Sequence, residues 1–162
     1  MGVGCSSGTF DLYIFLHGIL LFMKWTLYAD GGSRGNPGLS GAGAVVFDAL
    51  GKRIVEVSDF LGIATNNIAE YEALLRGLIA LHTEYPKNYF KHGTLIVRMD
   101  SKLVIEQMKG VYKVKHPNLM PRYFEIKNII SRHFGVVSFE HIPREKNIDA
   151  DSLANEAMDR GV

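Results

Sequence analysis

The stretch Lys24-Trp-Thr-Leu-Tyr-Ala-Asp-Gly-Gly-Ser-Arg-Gly-Asn-Pro-Gly38 decides the fold of this 162-residue chain. Its first part, Trp25–Asp30, predicts a β-strand, and the glycine-rich segment Gly31–Gly38 that follows predicts a turn. The strand is therefore expected to end at Asp30. That position would leave the carboxylate at the end of a sheet strand.

A second strand ends in the same way. The run Leu95-Ile-Val-Arg-Met-Asp100 is followed at once by the turn residue Ser101. Ligands of open α/β sheets bind beyond the carboxyl ends of strands. Either aspartate by itself could simply cap the next element. Two matching strand ends, combined with the helix carboxylates Glu70 and Asp151, favour a divalent-metal site.

The remaining elements predict an α/β fold with one mixed sheet and helices on its faces. The expected order is β-β-β-α-β-α-α-β-α. After the first strand we expect a hairpin of 41–47 and 53–60, followed by a helix that starts at Thr65 or Asn66 and ends before Pro86. A strand at 94–100 and a short helix near 101–109 come next. The last elements are a helix from Pro117 or Pro121 to about 134, a strand at 136–142 and a helix at about 147–159.

Residues 1–22 differ from the rest and are interpreted as an apolar N-terminal extension of unknown role, ahead of one domain at 23–162. Their apolar run, Leu12–Met23, is shorter than the roughly 20 residues that span a bilayer, so no membrane association is expected. The segment lacks the features of a secretory signal. Gly2 and Ser6 fit the loose myristoylation pattern, and the neighbouring Cys5 could be acylated. An upstream extension or a start-site artefact is the simpler interpretation.

Composition indicates an ordinary globular protein, with 47% hydrophobic and 22% charged residues. The single cysteine excludes an internal disulfide framework and a thiolate zinc cluster, and it fits a cytoplasmic location. Any metal would therefore be held by oxygen or histidine, and none of the six histidines has a recognisable metal-ligand spacing. Residues 101–147 carry nine basic against four acidic side chains. This basic stretch could contact phosphates or could be a solvated helix face.

Helix geometry places one carboxylate against the sheet. At roughly 100° per residue, Glu70 lies over Leu74 on the apolar face of its helix. A buried carboxylate there requires a cation, because an unpaired buried anion is costly. The alternative is a partly exposed glutamate at the edge of that face. In the last helix, Asp149 and Asp151 lie on the two edges of the apolar stripe, and geometry alone does not choose between them.

Four motifs then occur in order along the chain. They are Tyr28-Ala-Asp-Gly-Gly-Ser-Arg-Gly-Asn-Pro-Gly38, Thr65-Asn-Asn-Ile-Ala-Glu-Tyr-Glu-Ala73, Met99-Asp-Ser101 and Ile142-Pro-Arg-Glu-Lys-Asn-Ile-Asp-Ala-Asp-Ser-Leu-Ala154. Together they resemble type 1 ribonuclease H, over residues 24 to about 160. The resemblance implies the ribonuclease H-like fold, a five-stranded mixed β-sheet flanked by α-helices.

The resemblance also implies an activity. It is that of an endoribonuclease that hydrolyses the RNA strand of RNA/DNA hybrids, giving 5′-phosphate and 3′-hydroxyl ends. Two Mg²⁺ ions, or Mn²⁺ as a substitute, would serve the site. By motif position, the catalytic and metal-binding carboxylates would be Asp30, Glu70, Asp100 and Asp151. Asp149 would then be a neighbour of the site.

The same resemblance supports a set of contacts to the hybrid. Small residues and amides suit close approach to a minor groove, where 2′-hydroxyls distinguish RNA from DNA. Ordinary turn and helix-cap chemistry is the alternative explanation of these residues. The expected contacts are Gly31, Gly32, Ser33, Asn36, Thr65, Asn66, Asn67 and Ser101.

The sequence differs from the better-known bacterial members of the family in two places, and there it resembles the compact branch of the family. Between Ser101 and Pro117 there is no tryptophan-rich basic protrusion, and Pro143–Asn147 stands where better-known bacterial members have a glycine- and histidine-containing loop. An RNA/DNA hybrid is the expected partner, and no obligatory protein partner is evident. The alternatives are a non-catalytic hybrid-binding module, the ribonuclease H part of a larger polymerase or transposition machine, and a related two-metal nuclease acting on double-stranded RNA or junctions.

Overall fold

The computed structural model describes residues 23–161, so the predictions about the extension at 1–22 lie outside the described residues. The predicted order of strands and helices is confirmed. The strands are β1 (Lys24–Gly35), β2 (Gly38–Phe47), β3 (Arg53–Ala64), β4 (Thr94–Met99) and β5 (Val136–His141). The helices are α1 (Asn66–Thr83), α2 (Lys102–Met108), α3 (Met120–His133) and α4 (Ile148–Arg160), with 3-10 turns at Tyr89–His92 and Arg144–Lys146.

The five strands form one mixed sheet in the order β3-β2-β1-β4-β5. Strands β1, β2 and β3 are antiparallel neighbours, whereas β4 pairs in parallel with both β1 and β5. The carboxyl ends of β1, β4 and β5 consequently point toward the same edge of the sheet. This is the five-stranded mixed sheet that the sequence predicts.

The predicted end of β1 is wrong. The strand continues through the glycine-rich segment to Gly35, and Asp30 pairs with Gly43 of β2. The parallel ladder between β1 and β4 ends earlier, at Tyr28 and Arg98. Because β2 still supplies backbone partners after β4 has left, the glycines stay extended. Asp30 therefore lies inside a strand, but at the place where the two parallel strands separate.

Two layers of helices cover the sheet. The consecutive residues Gly31 and Gly32 face α1 and α4 respectively, because a Cβ on Gly31 would meet Ala69 and one on Gly32 would meet Met158. Since successive side-chain positions of a strand point to opposite faces, α1 and α4 lie on opposite sides of β1. Helix α3 packs on α1. In the part of the chain that the structure describes, no helix is both long and apolar enough to cross a membrane.

The main core lies between the sheet and α1. Its fully buried apolar side chains recur at helical spacing in α1 and at alternate positions in the strands, and they include Leu27, Leu74, Leu78 and Val97. Thr65 caps α1, since its side chain accepts a hydrogen bond from the Ile68 N–H. The choice between Thr65 and Asn66 as the start of α1 is thus resolved in favour of a Thr65 cap.

Candidate active site

A polar pocket of about 380 Å³ lies at the edge of the sheet where β1 and β4 separate. Its walls carry Asp30 from β1, Glu70 from α1, Asp100 from the bend after β4 and Asp151 from α4. The structure therefore brings all four predicted carboxylates together. The other lining residues are Gly31, Gly32, Ser33, Arg34, Asn66, Arg144, Ala154, Asn155 and Met158.

Helix α1 reaches the pocket because β1 has no side chain at Gly31. A Cβ there would lie 2.0 Å from the backbone carbon of Ala69. The close approach lets the Gly31 N–H donate to Glu70 Oε2 at 3.3 Å. Glu70 is 6% exposed, so the predicted burial of this carboxylate is confirmed and the alternative of an exposed edge position is wrong.

The carboxylates repel one another. Burial raises the pKa of Asp30 to about 7, and the neighbouring Asp100 and Asp151 add to this effect. Burial also raises the pKa of Glu70 well above its ordinary value, with further contributions from Asp30 and Asp100. Arg144 acts in the opposite direction on both groups. The raised pKa values show that Arg144 offsets only part of the cost of gathering these carboxylates in one pocket.

Protein donors hold Asp100 from two sides. Asn147 Nδ2 donates to Asp100 Oδ1 at 2.8 Å. The His141 Nε2 atom lies 3.1 Å from the Asp100 carbonyl oxygen. His141 is the last residue of β5, whose register with β4 pairs it with Met99. His141, which has no metal-ligand spacing in the sequence, thus adjoins the carboxylate cluster.

The two acidic residues at the start of α4, Asp149 and Asp151, have different partners and lie in different pockets. Asp151 Oδ1 accepts from Arg144 Nη2 at 2.6 Å, and its Oδ2 accepts from Asn155 Nδ2 at 3.0 Å. Asp149 instead pairs with Arg53 at 2.9 Å and lines a different pocket of about 430 Å³. Helix geometry left open whether Asp149 or Asp151 faces the site, and the structure places Asp151 in the carboxylate pocket.

Helix α4 carries Asp151 inward because small residues let it approach β2 closely. A Cβ on Gly43 would lie 2.1 Å from the carbonyl oxygen of Ala150. Ala150, Ala154 and Ala157 form the buried side of the helix. Asp151 lies at the edge of this buried side and lines the carboxylate pocket.

The donor set suits a hard divalent cation. Four carboxylates offer oxygen ligands of the kind that Mg²⁺ and Mn²⁺ prefer. Such an ion would relieve the repulsion from Asp100 and Asp151, which adds to the effect of burial on the pKa of Asp30. Within residues 23–161, however, no group of three or more acidic, histidine or cysteine side chains is already arranged to hold a metal ion. Oxygens of Asp100 and Asp151 are engaged by Asn147, Arg144 and Asn155. Ion binding at Asp151 would therefore require Arg144 to move away from Oδ1, whereas the Asn147 bond leaves Oδ2 of Asp100 available.

The residues expected to contact a hybrid lie around the pocket in two groups. Gly31, Gly32, Ser33 and Asn66 line it. Asn36 is tied to α1 because its Oδ1 accepts the Asn66 N–H at 3.1 Å. Thr65 caps α1, Asn67 is exposed in its first turn, and Ser101 precedes α2. These last four residues do not line the pocket itself.

The basic side chains of residues 101–147 differ in whether they pair with acidic groups of the protein. Several of these cations bond to protein groups, with Lys109 paired with Glu106, Arg122 with Glu72 and Arg144 with Asp151. Lys113, Lys115 and Lys146 are exposed and form no ion pair with any residue that the structure describes. Contact of this stretch with phosphates therefore stays a prediction, and Lys113, Lys115 and Lys146 are exposed cations that could make it.

Two amides that support the carboxylates were not singled out from the sequence. Asn147 and Asn155 lie four residues before and four residues after Asp151. That spacing places neighbours on one side of a helix, and it is the signal that could have identified them. Asn147 belongs to the fourth motif, but its contact with Asp100 joins residues 47 positions apart.

Known proteins match most of the chain. Residues 28–157 match a family profile described as "Reverse transcriptase-like". The bifunctional protein Rv2228c of Mycobacterium tuberculosis is 46% identical over 140 residues, which cover 85% of this chain and 36% of that protein. Ribonuclease HI of Halobacterium salinarum is 38% identical over 132 residues, covering 82% of this chain and 63% of that protein. The chain thus spans about a third of the mycobacterial relative.

Solved structures agree with the sequence matches. LC11-RNase H1, a protein isolated from compost and solved in complex with an RNA/DNA hybrid, superposes with a TM-score of 0.80. It is 44% identical, and the match covers 85% of this chain and 98% of that chain. On this coverage and identity, the chain belongs to the type 1 ribonuclease H family.

Proposed function

We propose that this protein hydrolyses the RNA strand of RNA/DNA hybrids in a divalent-metal-dependent reaction, with Asp30, Glu70, Asp100 and Asp151 as its catalytic and metal-binding residues. The observation that carries the proposal is the convergence of these four carboxylates, from four different elements, in one polar pocket. A ribonuclease H relative solved with a hybrid supports the choice of substrate. Mg²⁺ is the proposed cofactor, used as two ions with Mn²⁺ as a substitute, and the cytoplasm is the proposed location.

The four carboxylates would hold the ions. When bound, such ions activate a water molecule and stabilise the charge that develops on the leaving 3′ oxygen. Asp30 and Asp100 are the best placed for this task because they lie at the point where β1 and β4 separate. Asp30 is held rigidly within β1, and Asp100 directly follows β4. Glu70 and Asp151 approach the same point from helices on opposite faces of the sheet.

Polar and charged side chains of the protein would neutralise and orient the charged groups around the scissile phosphate. Arg144 is 75% exposed beside Asp151, so its guanidinium can leave that carboxylate and meet a phosphate oxygen. Asn155 retains its hydrogen bond to Asp151 and holds the carboxylate on α4. Cleavage with these parts would leave a 5′-phosphate and a 3′-hydroxyl.

Recognition would depend on shape, since the pocket rim presents backbone and amides. The Gly31–Ser33 backbone can approach a minor groove closely because it lacks bulky side chains. Asn66 and Asn67 are exposed at the first turn of α1, and neither side chain makes a hydrogen bond with the described residues. Thr65 lies at the positive end of the α1 dipole, which favours a phosphate nearby. Asn36 and Ser101 complete the proposed contact set.

One assay tests this function. The protein is incubated with Mg²⁺ and labelled RNA/DNA hybrid, duplex RNA, duplex DNA or single-stranded RNA. We expect cleavage of the RNA strand of the hybrid alone, no cleavage after chelation of the metal, and no cleavage by Asp100→Asn. Preferential cleavage of duplex RNA or DNA would show a related nuclease instead. Binding of the hybrid without cleavage would show a non-catalytic module.

A further inference from the structure

We propose that Asn147 is a positioning residue that fixes the Asp100 carboxylate for ion binding, an inference that rests on the proposed function. Asn147 connects the 3-10 turn Arg144–Lys146 to α4, and it is only 1% exposed. It does not line the carboxylate pocket. Any effect of Asn147 on the reaction must therefore pass through the residues that it contacts.

The Asn147 amide joins two parts of the site. Its Nδ2 group donates to Asp100 Oδ1 at 2.8 Å and to the Ala29 carbonyl at 3.0 Å. Ala29 lies between Tyr28, the last β1 residue paired with β4, and Asp30. The amide thus bridges the two strands just beyond the end of their backbone ladder. It holds the Asp100 carboxylate against the strand that carries Asp30.

The Asn147 backbone adds a third link. Its carbonyl accepts the N–H of Asp151 at 3.0 Å, in the first turn of α4. A single buried residue therefore sets the positions of Asp30, Asp100 and Asp151 relative to one another. These three carboxylates come from β1, the bend after β4, and α4.

The side chain of Asn147 donates to Asp100 and Ala29 and does not cap α4. Asparagine is a preferred helix N-cap because its side-chain oxygen can accept an N–H from the first turn. Asn147 holds the N-cap position of α4 but makes no such side-chain bond. Its Oδ1 is buried without a hydrogen-bond partner among the described residues. An unpaired buried oxygen is unfavourable, so donation by Nδ2 is what retains this orientation.

The opposite amide orientation would be worse. Turning the amide round would place Oδ1 against the Ala29 carbonyl and Asp100 Oδ1, which are both acceptors. The donor function of Asn147 is therefore specific. With Oδ1 of Asp100 engaged in this way, its Oδ2 makes no hydrogen bond within residues 23–161 and remains available to an ion.

Asp100 needs such support because it lies in a bend after β4, outside the strand ladder. Hydrogen bonds to the groups that ligate a metal orient those ligands, and their removal typically weakens metal affinity or activity by about 10–100-fold. Loss of the Asn147 donor should therefore weaken ion binding without removing any ligand.

The test uses Asn147→Leu in the full chain, because leucine has nearly the same size but cannot donate. Binding of Mn²⁺ to the protein without nucleic acid is measured by calorimetry, and the Mg²⁺ dependence of hybrid cleavage is measured separately. We expect the Mn²⁺ Kd and the half-saturating Mg²⁺ concentration to rise about tenfold or more. The KM for hybrid at saturating Mg²⁺ should stay the same, because no proposed hybrid contact is altered.

Gln107→Leu is the matched control. Gln107 is also a buried amide, 5% exposed, and it bonds the Tyr71 hydroxyl and the Lys113 carbonyl away from the carboxylates. Its replacement should lower Tm and leave the Mn²⁺ Kd unchanged. Equal loss of Mn²⁺ affinity in both variants would overturn the proposal, since general loosening of the fold would then explain it.

Folded Asn147→Leu with the parental Mn²⁺ affinity would also overturn the proposal. If Asn147→Leu does not fold, Asn147→Ala is measured in the same way, since its smaller side chain cannot overpack the site and cannot donate a hydrogen bond. Failure of the parent protein to cleave hybrid would contradict the proposed function but not the role of Asn147 in ion binding. The Mn²⁺ titrations would still decide the role of Asn147, because they require no substrate.

Discussion

Asp149 and Asp151 lie on the same turn of α4 but bond to different arginines. Asp149 Oδ1 accepts from Arg53 at 2.9 Å, whereas Asp151 Oδ1 accepts from Arg144 at 2.6 Å. Only Asp151 lines the pocket that contains Asp30. The two residues should therefore respond in opposite ways to the same substitution.

We expect Asp151→Ala to reduce turnover in Mg²⁺ by orders of magnitude with little change in Tm, or a small rise, because repulsion with Asp30 is relieved. Asp149→Ala should retain almost full activity and lose a little stability. Its exposed ion pair with Arg53 and its position at the start of α4 each contribute at most about 1 kcal/mol. Hybrid cleavage rates and thermal melts of both variants check this. Exchanged phenotypes would contradict the assignment of Asp151.

Asp100→Asn should fold and bind hybrid but not cleave it. Asparagine keeps the shape of the side chain and an acceptor for Asn147, yet a neutral amide is a poor ligand for a hard dication. Because loss of a ligand's hydrogen-bond partner already costs about 10–100-fold, loss of a ligand should lower the rate by at least about 100-fold. Cleavage is compared at saturating hybrid, with binding measured in Ca²⁺. A rate close to that of the parent would rule out a metal-holding role for Asp100.

Gly31→Ala should destabilise the protein more than Gly32→Ala. The added methyl on Gly31 would lie 2.0 Å from the Ala69 backbone, so α1 and β1 must separate. Overpacking of this kind costs roughly 1–3 kcal/mol. On Gly32 the methyl would meet only the flexible end of Met158, at 3.1 Å. Urea unfolding of both variants measures the difference, and equal stabilities would contradict the close approach of α1.

Arg144→Ala should lower the Mg²⁺ concentration needed for half-maximal activity. The guanidinium competes with an ion for Asp151, and its removal leaves the pocket more negative. Since exposed ion pairs contribute at most about 1 kcal/mol, the change should be less than about fivefold. Arg53→Ala is the control, because Arg53 pairs with Asp149 outside the pocket, and it should leave the Mg²⁺ requirement unchanged. A raised Mg²⁺ requirement in Arg144→Ala would show that the arginine assists ion binding.

Acidification should weaken the contact between α1 and α3. His82 and His133 stack with ring centroids 4.2 Å apart, and partial burial together with His133 lowers the pKa of His82 below 6.5. The unfolded chain then binds protons more readily than the folded one, so stability falls as the pH drops through about 6.5. Tm should decrease less between pH 7.5 and 5.5 for His82→Gln than for the parent. Equal decreases would exclude this histidine pair as a source of acid sensitivity.

The sequence by itself determined the order of the elements and three of the four pocket carboxylates. Strand and helix periodicities are local, and they correctly predict strands that bring Asp30 and Asp100 toward one edge. Helical spacing correctly predicts that Glu70 faces the sheet. The motif resemblance added Asp151. These features depend on neighbours within a few residues, which a single chain displays directly.

Only the tertiary structure decided the features that depend on distant partners. The continuation of β1 beyond Asp30 depends on backbone hydrogen bonds supplied by β2, so the local glycine signal was misleading. Helix spacing alone left Asp149 and Asp151 equivalent, and it is the packing of α4 on the sheet that puts Asp151 in the pocket while Asp149 pairs with Arg53. The link from Asn147 to Ala29 joins residues 118 positions apart. Such contacts arise because packing brings separate elements together, and no local pattern encodes which donors will then meet which carboxylates.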